Sequence, residues 1–394
     1  MGSLYKRADC GGKKSVYHAA FIDHTGKRVR RSTGVTDKQA AREIMQKWIT
    51  DERRRANGVI DHAAERIAGE RARSVEDLLA EWKNSKLTGG KTSGHIEDTI
   101  RLVRDVAEFG KWQTISDMVD TDLEAYAAKL KQEFNRSART IQKLVTALKQ
   151  FGKWCEKNNR LAKNPFSEVD KPDPETDRRL ERRMIQQAEW PWLLKALAEA
   201  PHRNGLAGSE RAILYRLGIE TGLRVQELIG LHRGKLHLDS KPPFVLCKGA
   251  GTKNRKDAQQ FVSSRLARDL KKLIKDRSAG ESIFPFERTH ASEVLRDDMA
   301  LARTLWLDSA KDAKERSKRE ATLFLAATNE AGEKLTFHSL RHTCGAWAAL
   351  ANAPVKSIQT LMRHSTVQLT IDTYGHLMPQ AQSGLAELIG SMLT

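Results

Sequence analysis

The chain contains 394 residues, of which 39% are hydrophobic and 30% charged. This length exceeds one typical domain, so we expect two or three. No run of 18 apolar residues occurs, which excludes a transmembrane helix. We do not expect secretion either, because MGSLYKRADCGGKK lacks the apolar core of a signal peptide. Cys10, Cys155, Cys247 and Cys344 have no paired spacing, which predicts reduced cytoplasmic thiols and neither a disulfide framework nor a zinc site.

The charge balance indicates a polyanionic partner. Lysine and arginine number 68 against 50 acidic residues, a net charge of +18. A surplus of this size is typical of proteins that bind nucleic acid, with a merely soluble basic protein as the alternative. The surplus is concentrated at the start, where residues 1–60 hold 14 lysines and arginines against 6 acidic residues.

Residues 1–60 predict a small basic sheet followed by a helix. In SVYHAAFIDHTGKRVRRSTGV two short strands flank a turn at residues 23–26. Thr36 and Asp37 are candidate caps for the helix after the second strand. Arg30 and Arg31 in that strand are candidate DNA contacts, because guanidinium groups bind phosphate well.

Residues 74–168 predict a helical unit. Ser74 and Asp77 stand at capping-box spacing before the first helix, and helical periodicity recurs at residues 96–109, 121–134 and 137–157. The last helix buries an apolar stripe, and its opposite face carries Arg139, Lys143, Lys149 and Lys153. These basic residues either solubilise that face or contact DNA. Residues 169–181, with two prolines and no apolar period, predict a stiff, solvated linker.

Three strings in residues 182–394 carry the side chains needed for phosphodiester cleavage by tyrosine: TGLRVQEL, HSLRHT and MRHSTVQLTIDTYGHL. The transition state needs positive charge on its non-bridging oxygens, the departing 5′ oxygen needs a proton, and the phenol must lose one. Arg224 and Arg341 can bind the phosphate bidentately. The sequence shows no compact cluster of metal ligands that would replace them.

Spacing within these strings favours concerted action. Glu227 follows Arg224 by three residues on a helix that Thr221 can cap, so its carboxylate can hold the guanidinium group. His338 and Arg341 are spaced i, i+3, and one helical turn presents both to a common point. The imidazole pKa lies near neutrality, which suits His338 to proton transfer.

Together the three strings resemble those of the tyrosine recombinase (phage integrase) family. The resemblance implies that Tyr374 attacks the scissile phosphate and that His364 donates a hydrogen bond to it. It also implies that Arg224 and Arg341 clamp the phosphate, while His338 moves the tyrosine proton.

The same resemblance implies a fold class, mainly α with small β elements (α+β). We expect an arm-type DNA-binding domain at residues 1–60, a basic sheet with a helix. A helical core-binding (SAM-like) domain at residues 74–168 and the linker at 169–181 follow. A mixed α/β catalytic domain with a C-terminal helix occupies residues 182–394.

The family also carries a catalytic lysine on a β-hairpin between the two arginine strings. PFVLCKGAGTKNRKDAQQFVSS is the matching stretch, with strands expected at residues 244–247 and 259–263. Lys253 is the candidate that would protonate the leaving oxygen. Lys248 and Lys256 remain alternatives.

Three segments differ from compact members or extend beyond the motifs. Met362-Arg363-His364 stands where members usually have Leu-Gly-His, so Arg363 changes the backbone freedom beside His364 or adds a phosphate contact. Residues 286–334 are expected to decorate the fold as charged helix, with contact to DNA left open. After Tyr374, an apolar spacing predicts an amphipathic helix that packs on its own core or docks on a neighbouring protomer; its residues are Leu385, Leu388, Ile389 and Met392.

The resemblance predicts a site-specific recombinase that clamps double-stranded DNA and forms a 3′-phosphotyrosine link and a Holliday junction. It predicts a homotetramer on DNA, no metal, nucleotide or other cofactor, and no membrane partner. We expect an integrase of a mobile element, cytoplasmic and nucleoid-associated, with an accessory DNA-bending or directionality protein as a further partner. The alternatives are a non-catalytic DNA-binding protein on the same fold and a type IB topoisomerase.

Overall fold

The computed structural model describes residues 2–6, 15–59, 67–90, 93–247, 257–275, 277–378 and 390–393. The chain divides into two compact units, Met1–Arg179 and Leu180–Thr394. The described residues are mainly helical with two three-stranded antiparallel sheets, which confirms the predicted fold class. The boundary falls within the predicted linker, and the finer division of the first unit remains a prediction from the sequence.

The first unit begins with a sheet and a helix. The strands are β1 (Ser3–Tyr5), β2 (His18–Ile22) and β3 (Arg28–Ser32), in the order β1-β2-β3. Phe21 and Met45 share a small buried core between this sheet and α1 (Lys38–Ala56). The Asp37 carboxylate caps α1, as predicted, by accepting from the Ala40 amide at 2.7 Å. The sequence predicted β2 and β3 but missed β1, because a three-residue strand is too short to show a period.

Four helices follow in the described part of residues 74–168, as predicted. They are α2 (Val75–Thr88), α3 (Ser93–Gly110), α4 (Asp120–Gln132) and α5 (Ala138–Lys157). Ser74 caps α2 by accepting from the Asp77 amide at 3.1 Å. Leu144, Leu148 and Phe151 on the apolar stripe of α5 are fully buried. The hydrophobic periodicity of the sequence therefore identified the face that forms the core of this unit.

The end of the predicted linker is anchored within the first unit. Asp177 accepts a hydrogen bond from the Ala138 amide at the start of α5, at 2.9 Å. Arg179 donates to the Asp177 carboxylate at 2.6 Å and to the Asn135 side-chain oxygen at 3.0 Å. The linker is thus tied to its own unit up to Arg179 by side chains that the sequence showed only as solvated charge.

The second unit combines nine helices and a small sheet in the part that the structure describes. The helices are α6 (Trp190–Glu199), α7 (Gly208–Thr221), α8 (Val225–Ile229), α9 (Ser264–Leu273), α10 (Ala291–Asp308), α11 (Ala313–Glu320), α12 (His338–Leu350), α13 (Val355–Met362) and α14 (Val367–Tyr374). The strands are β4 (Leu236–His237), β5 (Phe244–Cys247) and β6 (Ala258–Phe261), in that order. None of the described helices of the chain is long and apolar enough to cross a membrane.

Residues 286–334 are more than decoration, which corrects the expectation from the sequence. Asp298 on α10 is fully buried. It accepts from Arg211 Nε and Nη2 at 2.8 Å each and from the Tyr215 hydroxyl at 2.7 Å. Because Arg211 and Tyr215 lie on α7, this network pins α10 to the helix that leads to Arg224. Only α11 matches the expectation, since it has no buried residue.

Most of the predicted C-terminal amphipathic helix, including Leu385, Leu388 and Ile389, lies outside the described residues. Met392 is described, and it is 75% exposed. The two alternatives, packing on the chain's own core and docking on a neighbouring protomer, both remain predictions.

Candidate active site

Arg224 lies at the start of a helix, on a tight connection between α7 and α8. Gly222 ends α7 with φ +61°, a left-handed conformation that glycine adopts at no steric cost. Arg224 is then the N-cap residue of α8, and its backbone N–H donates to Glu227 Oε2 at 2.7 Å. The prediction that Thr221 caps this helix is wrong. Thr221 is the last residue of α7, and its hydroxyl donates to the Leu217 carbonyl at 2.5 Å.

Glu227 binds two arginines at once. Its carboxylate, 6% exposed, accepts from Arg224 Nη1 at 3.4 Å and from both terminal nitrogens of Arg363 at 3.0 and 2.5 Å. Burial raises the pKa of the Glu227 carboxyl, but the hydrogen bonds and charges of Arg363 and Arg224 outweigh this and hold it below its ordinary value. The carboxylate therefore stays ionised at neutral pH and fixes the position of Arg224.

Arg341 on α12 is the second predicted phosphate-binding arginine, and it is 4% exposed. Its guanidinium group donates to the carbonyls of Gly222 and Met362, where α7 and α13 end. Desolvation and the positive charges of Arg224 and Arg363 lower the pKa of Arg341 to about 10. Guanidinium groups crowded in this way favour an anionic ligand, because a phosphate would offset their mutual repulsion.

His338 is the first residue of α12, one turn before Arg341. Taken over the whole residue, His338 is exposed to solvent. Desolvation by the surrounding protein, together with the charges of Arg182 and Arg341, nevertheless lowers the pKa of His338 below its ordinary value. The imidazole is therefore neutral at pH 7 and able to accept a proton.

His364 follows α13 and is half-buried. Its Nδ1 lies 2.9 Å from Thr370 Oγ1. Desolvation, followed by the charges of Arg341 and Arg224, lowers the pKa of His364 to about 4. When the Thr370 hydroxyl donates to Nδ1, the ring proton resides on Nε2, which is then free to donate to a phosphate oxygen.

We expect the His364 ring to titrate near pH 4 in the DNA-free protein, against about 6.5 for an unperturbed histidine. A lowered pKa means that the folded state resists protonation. The free energy of unfolding should therefore decrease as the pH falls from about 6.5 towards 4. NMR titration of the ring, assigned with a His364→Asn variant, measures the midpoint. A midpoint near 6.5 would contradict the packing of this residue.

Tyr374 is the last residue of α14 and is 2% exposed. Its ring centroid lies 5.4 Å from that of His342 and 6.3 Å from that of His364. Gly345 on α12 leaves the space that the phenol occupies, because a Cβ there would overlap the ring. Burial raises the pKa of Tyr374 far above its ordinary value, although the charge of Arg341 opposes this. The phenol is thus protonated in the free protein, and its attack on a phosphate requires a base.

The candidate catalytic lysines lie outside the described residues: Lys248, Lys253 and Lys256. The strands on either side are described, and Cys247 at the end of β5 pairs with Ala258 at the start of β6. Desolvation raises the pKa of the Cys247 thiol to about 11, and the charges of Arg363 and Glu227 also act on it. Cys247, the described end of β5, is therefore close enough to Arg363 and Glu227 for their charges to act on it.

The residues of α5 that are predicted to contact DNA differ in their exposure and in their contacts within the protein. Arg139, Lys143 and Lys153 are exposed, and their spacing places them on one side of the helix. Lys149 is half-buried, and its ammonium group donates to the Ser167 carbonyl at 2.8 Å. We therefore retain the three exposed residues as the stronger DNA-contact candidates on this helix.

The two predicted contacts on β3 point in opposite directions, because successive side chains of a strand alternate between its faces. Arg31 stacks on Trp48 of α1, with its guanidinium carbon 4.8 Å from the ring centroid. Arg30 therefore lies on the face of the sheet that is turned away from α1. Both residues are exposed. Because the guanidinium group of Arg31 contacts Trp48, Arg30 is the stronger candidate for a DNA contact.

The described site combines an anion-binding cluster, two neutral imidazoles and a buried hydroxyl. Arg224, Arg341, His364 and Tyr374 lie close enough for their charges or rings to interact. Among the described residues, no group of three or more His, Cys, Asp or Glu side chains is arranged to hold a metal ion. The arrangement can bind a phosphate, carry protons and present a nucleophile.

Comparison with known proteins identifies the family. Residues 183–381, half of the chain, match the phage integrase family, and residues 3–51 match the phage integrase N-terminal domain. The chain belongs to the phage integrase family. A XerC-like tyrosine recombinase of Caldanaerobacter subterraneus subsp. tengcongensis is 24% identical over 297 residues, which cover 71% of this chain and 72% of the relative. XerD of Oceanobacillus iheyensis is 24% identical over 285 residues, covering 71% and 83%. The chain is accordingly a tyrosine recombinase.

Solved structures have the same fold. Lambda integrase, crystallised as a dimer on a COC′ core site, aligns with a TM-score of 0.56 at 13% identity, covering 94% of this chain and 93% of that one. The Tn1549 transposon integrase, in complex with a circular intermediate DNA, aligns with a TM-score of 0.56 at 18% identity, covering 80% and 98%. Likeness at this identity concerns the fold of this tyrosine recombinase, not its substrate.

The sequence did not indicate two residues that shape the site of this tyrosine recombinase. Thr370 looks like any helical threonine, and no pattern in the sequence shows that its hydroxyl meets His364. Gly345 offered a weak signal, because glycine inside a helix is less stable than alanine by about 1 kcal/mol and is retained where space is needed. The departure at Arg363 is visible in the sequence, but its pairing with Glu227 is visible only in the structure.

Proposed function

We propose that the chain is a site-specific DNA recombinase, the integrase of a mobile element, acting through a 3′-phosphotyrosine intermediate and a Holliday junction. The observation that carries the proposal is the buried hydroxyl of Tyr374 beside the charge of Arg341 and the ring of His364. A buried phenol next to a desolvated arginine suits nucleophilic attack on a phosphate that the arginine holds.

In this mechanism Arg224 and Arg341 bind the non-bridging oxygens of the scissile phosphate, and His364 donates a hydrogen bond to the same group. The Tyr374 oxygen bonds to phosphorus and its proton passes to His338. The bond from phosphorus to the 5′ oxygen breaks, and that oxygen takes a proton, for which we propose Lys253 as the donor. The phosphotyrosine conserves the energy of the ester, so attack by a partner 5′ hydroxyl rejoins the strands without metal or nucleotide.

We infer that the basic surfaces of the first unit hold the duplex. Support comes from the 14 lysines and arginines against 6 acidic residues in residues 1–60 and from the exposed Arg139, Lys143 and Lys153 on α5 and Arg30 on β3. We extend the proposal to a homotetramer on DNA, aided by a DNA-bending or directionality protein. A lambda integrase tetramer bound to a Holliday junction, with a TM-score of 0.53, supports the tetramer by analogy.

A mobile element, not chromosome maintenance, is the proposed context. The match of residues 3–51 to the phage integrase N-terminal domain supports it, as does the likeness to a transposon integrase. By contrast, the matches to the XerC-like and XerD relatives each cover 71% of this chain.

The test is adduct formation on nicked duplexes taken from the ends of the DNA element that encodes the chain, with EDTA present. On a denaturing gel we expect a protein–DNA band whose DNA is joined through its 3′ phosphate and leaves a free 5′ hydroxyl. Paired sites should then yield exchanged strands.

Each other outcome favours a different function. Tight DNA binding with no adduct, even with paired sites and without EDTA, would indicate a non-catalytic DNA-binding protein. An adduct with plasmid relaxation but no strand exchange would indicate topoisomerase activity. Loss of cleavage on adding EDTA would overturn the metal-free mechanism.

A further inference from the structure

Arg363 occupies a backbone conformation that ordinarily selects glycine. It ends α13 at φ +51° and ψ 44°, in the left-handed region that is costly for a residue with a Cβ. Glycine, usual at this place in the family, adopts it freely. An arginine is stable here when contacts of its side chain offset the backbone cost.

The Arg363 side chain makes such contacts, and they are buried. The two terminal nitrogens of Arg363 donate to the two carboxylate oxygens of Glu227 at 3.0 and 2.5 Å. The Arg363 side chain is 11% exposed and that of Glu227 is 6% exposed. In the amide orientation that satisfies its neighbours, Gln260 of β6 accepts from Arg363 Nε at 3.2 Å and donates to the Thr221 carbonyl at 3.1 Å. Every nitrogen of the guanidinium group thus has a partner.

These partners belong to elements that carry the proposed catalytic residues. Glu227 also accepts from the backbone N–H of Arg224 at 2.7 Å. The residue before Arg363 offers its carbonyl to Arg341, and the residue after it is His364. One side chain therefore links the loop of His364 to the start of α8 and to the hairpin strand β6.

We propose that Arg363 is a positioning residue, which holds the His364 loop against Glu227 and so fixes the separation of His364 and Arg224. The inference rests on the proposed function, because that separation matters only when both groups bind one phosphate. A planar fork paired with a carboxylate fixes distance and orientation together, and neither glycine nor lysine reproduces this.

The competing role for Arg363 is direct contact with a phosphate. The geometry disfavours it, since the guanidinium group would have to leave a buried carboxylate. Glu227 would then retain Arg224 as its partner and place an under-compensated negative charge near the bound phosphate. The two roles differ in what the loss of Arg363 changes, which is the rate of cleavage for a positioning residue and the affinity for DNA for a phosphate contact.

The test compares Arg363→Gly, Arg363→Lys and Glu227→Gln with a matched control, Arg316→Lys. Arg316 also pairs with carboxylates, Glu320 at 3.0 Å and Asp308 at 2.8 Å, but these pairs are exposed and lie away from the site residues in sequence. At saturating DNA we expect the first-order rate of adduct formation to fall about 10- to 100-fold in the three site variants, the usual effect of removing a group that orients a ligand. In Arg363→Lys, which keeps the positive charge beside Glu227, DNA affinity should change less than about threefold and its salt dependence should be unaltered. The control should match the wild type.

A second measurement needs no cleavage and separates failure of this inference from failure of the proposed function. In the DNA-free protein, the ring signals of His364 should shift and its titration midpoint should move towards the ordinary histidine value in Arg363→Gly, because the loop is released. Unchanged His364 signals together with an unchanged adduct rate would overturn the proposal. So would a loss of DNA affinity with a salt slope reduced by about one and an unchanged rate at saturation, which marks a phosphate contact. If even the wild type forms no adduct, the proposed function fails, and the His364 signals still decide whether Arg363 holds the loop.

Discussion

Replacing Tyr374 with phenylalanine should abolish the covalent protein–DNA adduct while leaving the fold and the affinity for DNA intact. The substitution removes one oxygen and keeps the ring, which is 2% exposed and packs beside Gly345 and His342. Because no covalent bond to phosphorus can form, the adduct rate should fall by about 10⁴-fold or more, as with loss of the nucleophile in other covalent enzymes. Quenched time courses on a nicked duplex, resolved on a denaturing gel, measure the rate.

Tyr215→Phe is the matched control, because Tyr215 is the other deeply buried tyrosine of the described second unit. Its hydroxyl donates to the Asp298 carboxylate at 2.7 Å. Tyr215 has no role in the proposed mechanism, although it is buried in the same unit as Tyr374. This variant should lose about 1.5–3 kcal/mol of stability and still form the adduct at temperatures where it stays folded. Adduct in Tyr374→Phe at the wild-type rate would assign the nucleophile to another residue.

Asp298→Ala should destabilise the second unit by about 3–5 kcal/mol, the largest stability effect that we expect from one substitution. The Arg211 guanidinium group, which is 1% exposed, would lose both hydrogen bonds to this carboxylate. Removing one member of a buried ion pair leaves an uncompensated charge inside the protein, and that costs more than the pair contributes. Urea unfolding followed by circular dichroism gives the free energy of unfolding.

The neighbouring carboxylate supplies the control for this experiment. The Asp297 side chain is 51% exposed and lies 3.5 Å from Arg203, so Asp297→Ala should cost no more than about 1 kcal/mol. Equal effects of the two substitutions would contradict the buried network. They would mean that α10 is a peripheral addition to the fold.

The candidate site residues could be predicted from the sequence because several of them are close together in the chain. His338 and Arg341 lie one turn apart on a helix, and Arg224 and Glu227 occur in one string, so their spacing alone brings each pair together. Helix α5 was equally readable, because its apolar stripe alternates with charge at a helical period.

What the sequence could not supply are contacts between segments far apart in the chain. The Glu227 and Arg363 pair spans 136 residues, and the Arg211 and Asp298 pair spans 87. No periodicity encodes such pairs, since a charged residue on a helix looks the same whether it faces water or a buried partner. The expectation that residues 286–334 only decorate the fold failed for this reason: the charge of α10 suggested exposure, whereas Asp298 lies in the core.

Gly345 has a practical consequence for engineering this recombinase. A protein designer seeking thermostability would replace a glycine in mid-helix with alanine, since the exchange normally gains about 1 kcal/mol. Here the added methyl group would occupy the volume of the Tyr374 phenol. Libraries built on helix propensity should therefore keep this position fixed, because the space beside Gly345 holds the ring of Tyr374, the proposed nucleophile.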